Sequence, residues 1–490
     1  MTTKDSDSGT IRFLLDGEYH DVTGIRPTTT VLQYLREHLH RCGTKEGCAE
    51  GDCGACTVVL AELVENRVRF RAANSCIQFL PTIDGKALFT VESLKSGSND
   101  DLHPVQQALV ECHGSQCGFC TPGFVMSLFA LYKSVENPGL DEVQFALAGN
   151  LCRCTGYRPI VAAAKRMYEL KTGAKSVDNT QLKKQLEKIR VTTGKQVTVD
   201  NFRYVAPTTV QELSAFLSKM PDATILAGGT DVGLWVTKQH EVLTEIVYIG
   251  NVAELDSIRR TDDMIEIGAA VALTDAFAAL MKEYPDLYEI VRRFASPPIC
   301  NNGTLCGNVA NGSPIGDSMP ALISLGAEVV LRNGSRSRSM PLEDFYIDYQ
   351  RTDLKRGEFV ETVRIPRARS ETNFRSYKNS KRYDQDISAV CAAFSIELNG
   401  DIVRSARVCF GGMAPTPRRA TACEQALKGA KWLPGSIDKA VRAMAEDFDP
   451  MTDCRATDRF RTTVAGNLLR RFYTEVSEPG SNTSVWNYEA

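Results

Sequence analysis

Cys48-Ala-Glu-Gly-Asp-Cys53-Gly-Ala-Cys56, with Cys76 after nineteen further residues, sets three thiols on one short loop and a fourth at a distance. That is the C-x4-C-x2-C…C spacing of plant-type [2Fe–2S] centres. Two irons need four thiolates, and a loop that curls around them supplies three. Gly47, Gly51 and Gly54 carry no Cβ, so backbone N–H groups can approach the sulfides, offset their charge and tune the potential. Zinc sites usually pair C-x2-4-C units, and the x4–x2 triple fits zinc poorly. Around this loop, residues 11–91 alternate strand-like runs with one helix. Ile11–Leu15 and Val58–Leu60 read as strands, and Val31, Leu32, Leu35 and Leu39 share one helical face of Thr30–Leu39.

A second thiol set follows: Gln116-Cys117-Gly-Phe-Cys120-Thr-Pro-Gly, then Leu151-Cys152-Arg-Cys154-Thr-Gly-Tyr-Arg-Pro159. Pro122 and Pro159 each stand shortly after a cysteine pair, and proline marks a helix start. Both pairs therefore lie before helix N-termini, where the dipole favours an anionic centre. Spacing alone leaves zinc open here, although C-x-C is unusual for it. Residues 103–171 carry helical periodicity at Val105/Ala108/Leu109, Phe124/Leu128/Leu131, Val143/Ala146/Leu147 and Ile160/Ala164/Met167, which predicts four helices.

The chain has 490 residues, enough for about three folding units. Its 57 Lys+Arg against 60 Asp+Glu leave a charge of −3, so no basic excess points to nucleic acid or an anionic membrane. The start lacks an apolar export signal and no run suits a membrane span, which predicts a cytoplasmic protein. Sixteen cysteines in such a chain point to metal or redox chemistry rather than bridges, and ten lie in the first 154 residues. The other eight (Cys42, Cys112, Cys300, Cys306, Cys391, Cys409, Cys423, Cys454) lack ligand spacing and are expected as small buried hydrophobes. All six histidines precede residue 241, leaving the C-terminal half without imidazole.

Beyond a polar, Lys-rich stretch expected as a linker (173–201, helical at Gln181–Ile189), α/β patterns with Gly-rich turns begin. Ala227-Gly-Gly-Thr-Asp-Val232 follows an apolar run, and its small residues let N–H groups form an anion nest; taken alone, the string reads first as a mere tight turn. A second loop, Asn301–Asp317, has the same make-up. Together they could bracket a dinucleotide pyrophosphate, though neither is the G-x-G-x-x-G of a Rossmann site. Farther on, Ile387–Leu398 and Ile402–Cys409 read as strands, Ala420–Leu427 and Phe460–Tyr473 as helices, and Ser477–Ala490 as a loose tail.

The strings EGCAEGDCGAC, QCGFCTPG and GNLCRCTGYRPI resemble those of the molybdenum hydroxylases, above all the xanthine dehydrogenases, over about residues 10–470. The resemblance implies an α+β multidomain fold. Its parts are a β-grasp plant-type ferredoxin domain (10–92), a four-helix [2Fe–2S] domain (93–172), an α/β FAD-binding domain (202–370) and a C-terminal α+β subdomain (371–475). It also implies that Cys48, Cys53, Cys56 and Cys76 hold one cluster, and Cys117, Cys120, Cys152 and Cys154 the other.

Gln116 matches a glutamine that reaches toward the molybdenum pterin; by its residue type alone it is a helix-end amide. Ala227, Gly228, Gly229, Thr230, Asp231 and Val232, with Thr304, Gly307 and Asn308, match residues around the FAD phosphates. Asp317 matches the ribose or adenosine side, or else caps the helix with Pro320 in its first turn. Phe294 matches an aromatic beside the isoalloxazine, or is core. Lys378 and Asp386 match flavin-facing residues, while Gln385 departs from the pattern; Lys381, Arg382 and Asp384 read equally as a solvated charge run.

Gly411-Gly-Met-Ala resembles the xanthine dehydrogenase form better than the aldehyde oxidase form. The family's large molybdopterin domain has no counterpart, so the resemblance implies the small subunit of a heterotetramer of two small and two large chains. Electrons from purine hydroxylation on the partner's molybdenum cofactor would pass through the clusters to FAD and NAD+. No catalytic acid or base is expected on this chain.

Overall fold

Alternation along the first strands divides their side chains between two cores. In Ile11–Leu15, Ile11, Phe13 and Leu15 enter one buried cluster and Leu14 the other; in Thr57–Val64, Val58 and Leu60 part from Val59 and Ala61 in the same way. Period-two side chains with both faces covered produce this pattern. In the computed structural model, which describes residues 9–94, 102–170, 177–481 and 483, these strands form a five-stranded mixed sheet. Its order is Glu18–Val22, Ile11–Leu15, Ala87–Phe89, Thr57–Val64, Arg67–Asn74. The hairpin Thr57–Asn74 turns on Glu65 and Asn66, both at positive φ (47° and 67°), as a two-residue turn requires.

On one face lie the four expected helices, Pro104–Glu111, Thr121–Ser134, Leu140–Leu147 and Arg158–Arg166. Phe124, Leu128, Phe129, Ile160 and Met167 share a buried cluster with Val59 and Phe70 of the sheet. Pro122 and Pro159 stand in the first turns of their helices, as the sequence predicts. On the other face, Thr30 caps Val31–Gln33 through a reciprocal pair with Gln33 (3.1 and 2.9 Å), and the helix continues as a π-turn over Tyr34–His38.

The stretch expected as a linker is largely structured. Asn179–Ile189 buries Leu182, Leu186 and Ile189 in the first core, and Lys195–Val199 is a strand paired with Phe202–Ala206. Residues 171–176 and most of the expected tail lie outside the described residues. The pair joins Glu245–Tyr248 and Thr224–Leu226 in a four-stranded sheet.

By contacts the chain gathers into two units. One holds the residues up to Asp256 with Ala272–Thr274 and Ala295–Gly303; the other holds Ser257–Val271, Asp275–Phe294 and everything from Thr304 onward. The second contains a five-stranded antiparallel sheet in the order Ile258–Arg260, Met264–Gly268, Phe359–Pro366, Glu328–Asn333, Arg336–Pro341. It also contains a four-stranded sheet, Thr372–Asn379, Val390–Asn399, Ile402–Gly411 and Arg418–Arg419. Helices Thr421–Leu427, Pro434–Asp447 and Asp458–Ser477 cover that sheet, with Phe394, Phe410, Trp432 and Phe472 at the centre of their core. The sequence reading had no counterpart for Pro434–Asp447. The strand expected from Ile387 begins at Val390, since Ile387 is exposed and Ser388 turns inward.

Candidate functional site

The first four thiols meet in two pairs. Cys48 and Cys53 are linked through their side chains, and the Cys56 and Cys76 sulfurs are 3.3 Å apart. The sulfurs come in twos. Two irons, each taking two thiolates, fit that arrangement. The Cys53 thiol and backbone N–H groups lower the pKa of Cys48, with Asp52 N and Cys53 N each 3.3 Å from its sulfur. The Cys76 thiol lowers Cys56 against the effect of burial, and Asn74 Nδ2 adds a donor at 3.7 Å. In each pair the shared contact pushes one thiol toward ionisation and its partner, Cys53 or Cys76, the other way. Gly54 sits at φ 70°, which lets the loop fold back between Cys53 and Cys56.

The second set is also paired, Cys117 with Cys154 and Cys120 with Cys152. The Phe119 N–H and the Cys154 thiol lower Cys117. Burial opposes ionisation of Cys152, but the Thr155 hydroxyl (3.2 Å) and N–H (3.4 Å) bring it down. The Cys152 N–H donates to Tyr157 Oη at 3.0 Å, and Tyr157 holds a positive φ of 66° to reach it. Sequence reasoning missed Asn74, Thr155 and Tyr157 as supports; the latter two were visible in the quoted TGYRP run. Gln116, Cys117, Phe119, Cys154 and Tyr157 are all exposed.

Of the eight remaining cysteines, Cys300, Cys306, Cys391, Cys409 and Cys423 are buried and Cys112 is half-buried. Cys42 and Cys454 are exposed, contrary to the expectation; both lie in polar loops, where no apolar face draws them inward.

In the first unit, strand Thr224–Leu226 runs into Ala227-Gly-Gly-Thr-Asp-Val232 and the short helix Val232–Thr237. Gly228 is pressed on the Asn302–Gly303 turn, where a Cβ would overlap the Asn302 carbonyl, and Thr230 Oγ1 lies beside Gly303. Burial raises the Asp231 carboxyl. In the second unit, Thr304 caps Leu305–Asn311, its Oγ1 accepting from Gly307 N at 3.0 Å, and Asn308 Oδ1 accepts from Ser318 Oγ at 2.5 Å.

Asp317 does not cap the helix after it. Its carboxylate instead takes Lys378 Nζ and Ser388 Oγ, each at 2.5 Å, so two expected site residues form one buried ion pair. Phe294 is buried edge-on against Phe277, centroids 5.2 Å apart. Asp386 is tied into its own turn by Arg382 N (2.8 Å) and Ile387 N (3.1 Å). Arg293, unremarked in the sequence, clamps the strand and loop that carry Lys378. It donates to Lys378 O (2.7 Å), Ser380 Oγ (2.9 Å) and Tyr383 O (3.3 Å).

Four family models match the chain in succession: a 2Fe-2S iron-sulfur cluster binding domain (13–79), a [2Fe-2S] binding domain (90–165), an FAD binding domain in molybdopterin dehydrogenase (200–368) and a CO dehydrogenase flavoprotein C-terminal domain (375–476). The chain belongs to the molybdenum hydroxylase family. It carries that family's two iron–sulfur domains and its FAD-binding domain. Among molybdenum hydroxylases, xanthine dehydrogenase of Emericella nidulans is 32% identical over 95% of this chain and 38% of its own length. Aldehyde oxidase 1 of Bos taurus is 29% identical over 95% and 39%. The chain therefore spans well under half the length of these relatives. A solved carbon monoxide dehydrogenase chain from Hydrogenophaga pseudoflava is 27% identical, covering 55% of this chain and 95% of its own, with a TM-score of 0.52. Among the described residues no helix is long and apolar enough to cross a membrane.

Proposed function

We propose that this chain is the electron-transfer part of a xanthine dehydrogenase, working with a partner subunit that holds the molybdenum cofactor. The observation that carries this reading is the sorting of eight thiols into two sets of two pairs. When bound, two [2Fe–2S] clusters and FAD supply carriers that take electrons from purine hydroxylation and pass them to NAD+. Cys48, Cys53, Cys56 and Cys76 would hold one cluster, Cys117, Cys120, Cys152 and Cys154 the other. Ala227–Val232, Phe294, Thr304, Gly307, Asn308, Asp317, Lys378 and Asp386 would serve the FAD.

The chain's own residues bind and orient. The N–H groups on Cys48 and Cys152 favour thiolate, and the missing Cβ of Gly228 lets its loop pack directly on the Asn302–Gly303 backbone. The buried Lys378–Asp317 ion pair fixes the position of the Lys378 side chain in the second unit. Exposure of Gln116, Cys117, Phe119, Cys154 and Tyr157 favours this surface as the place where the partner docks. The likeness to aldehyde oxidase 1 supports a second reading, the same part of an aldehyde-oxidising relative.

Purification with the partner, followed by xanthine-dependent NAD+ reduction, separates the two. NADH formation from xanthine supports the first reading. Turnover of aldehydes but not xanthine supports the second, and dye reduction without NADH removes the acceptor assignment.

A further inference from the structure

Asn150 lies between the two sets of thiols, and each end of its carboxamide faces a different one. The residue is 3% exposed. Its Oδ1 accepts from Ser127 Oγ (2.6 Å), on the helix that follows Cys120. Its Nδ2 donates to the Gly54 carbonyl (3.1 Å) on the loop of the first set and to Thr57 Oγ1 (3.3 Å) at the start of the strand that follows it. A carboxamide suits this position because it accepts and donates at once. One residue on, the Leu151 N–H donates to the Cys53 carbonyl at 3.0 Å, and the next residue is Cys152. The backbones here touch without side chains between them: a Cβ on Gly123 would overlap the Gly54 carbonyl, and one on Gly54 would overlap the Gly149 carbonyl.

We propose that Asn150 is a positioning residue that locks the Cys53 loop to the Cys152 loop, and so maintains a continuous covalent and hydrogen-bonded route for electrons between them. This rests on the reading that the eight thiols hold two iron–sulfur clusters. The route runs from Cys152 through the Leu151 amide, across its hydrogen bond to the Cys53 carbonyl, and on to the Cys53 sulfur. With clusters bound on the two thiol sets, one electron crossing it would oxidise the donor centre by one and reduce the acceptor by one. No bond breaks and no proton leaves its atom.

The test uses the full chain with both centres in place, read by low-temperature EPR and redox titration. Asn150→Asp keeps the acceptor for Ser127, removes the donor to Gly54 and puts negative charge between the two loops. Both signals are expected to persist with both midpoint potentials lowered, while Leu140→Asp, on an exposed helix surface, moves neither. Gly123→Ala, which forces the Gly54 carbonyl away, is expected to keep both signals and weaken the magnetic interaction between the two reduced centres. If Asn150→Asp fails to assemble, Gly123→Ala decides. A shift in one centre only, no shift in either, or an undiminished interaction in Gly123→Ala overturns the proposal alone. Absence of both signals from the unsubstituted chain overturns the cluster reading and the proposal with it.

Discussion

Lys378→Met should unbalance the second unit, and a second substitution should repair it. Lys378 and Asp317 meet at 2.5 Å with side chains 2% and 6% exposed. Among the described residues, the other Asp317 oxygen accepts from the Ser388 hydroxyl alone, at 2.5 Å. Lys378→Met therefore strands a buried carboxylate on one neutral donor. Removing one member of a buried ion pair costs about 3–5 kcal/mol, whereas replacing both by apolar groups of similar volume is neutral or stabilising. At roughly 2–4 °C per kcal/mol for a body of some 150–250 residues, the unfolding temperature of the second unit falls by roughly 6–20 °C. Lys378→Met/Asp317→Leu recovers most of it. Scanning calorimetry on flavin-free protein reads both. A drop below about 2 °C in the single variant, or a double variant as unstable as the single, refutes the reasoning.

Three further outcomes are expected. Burial, then the charge of Lys133, depress His103 to about 4, and its Nδ1 accepts from Val105 N at 3.3 Å. The unfolded state takes its proton first, near pH 6.5, so the contribution of His103 is full above that pH and is lost as pH falls toward 4, about 3 kcal/mol in all. His103→Asn keeps a capping acceptor and should flatten the urea midpoint between about pH 7 and about pH 4.5, and an unchanged slope contradicts this. Gly228→Ala forces a methyl into the Asn302 carbonyl; overpacking of about 1–3 kcal/mol weakens FAD binding about 5- to 150-fold, read from the flavin spectrum at unchanged iron content. Cys152→Ala removes one EPR signal and spares the other, and two unaltered signals would break the ligand grouping.

Much of this fold could be read from the chain because its strongest signals are local. Cysteine spacing, Pro122 and Pro159 at helix starts, and the period of the four helices each depend on neighbours within a few residues. What stayed hidden depends on distant partners. Lys195–Val199 looks like linker because only Val197 is buried, and Lys195 is there to meet Asp84 at 2.7 Å. Asp317 and Lys378 were each legible as site residues, but sixty-one positions apart their ion pair was not. Asn150 stands in a quoted motif, yet its partners Ser127, Gly54 and Thr57 come from elsewhere in the chain.

Two iron–sulfur clusters on eight thiols, beside a bound flavin, fix what the purified chain must contain. Metal and acid-labile sulfide analysis of the anaerobically purified chain, paired with low-temperature EPR after reduction, tests it most directly. The expected result is iron and sulfide in equal amounts, two distinct [2Fe–2S] signals and a flavin spectrum. Stoichiometric zinc with neither signal, from cells supplied with iron, would contradict it.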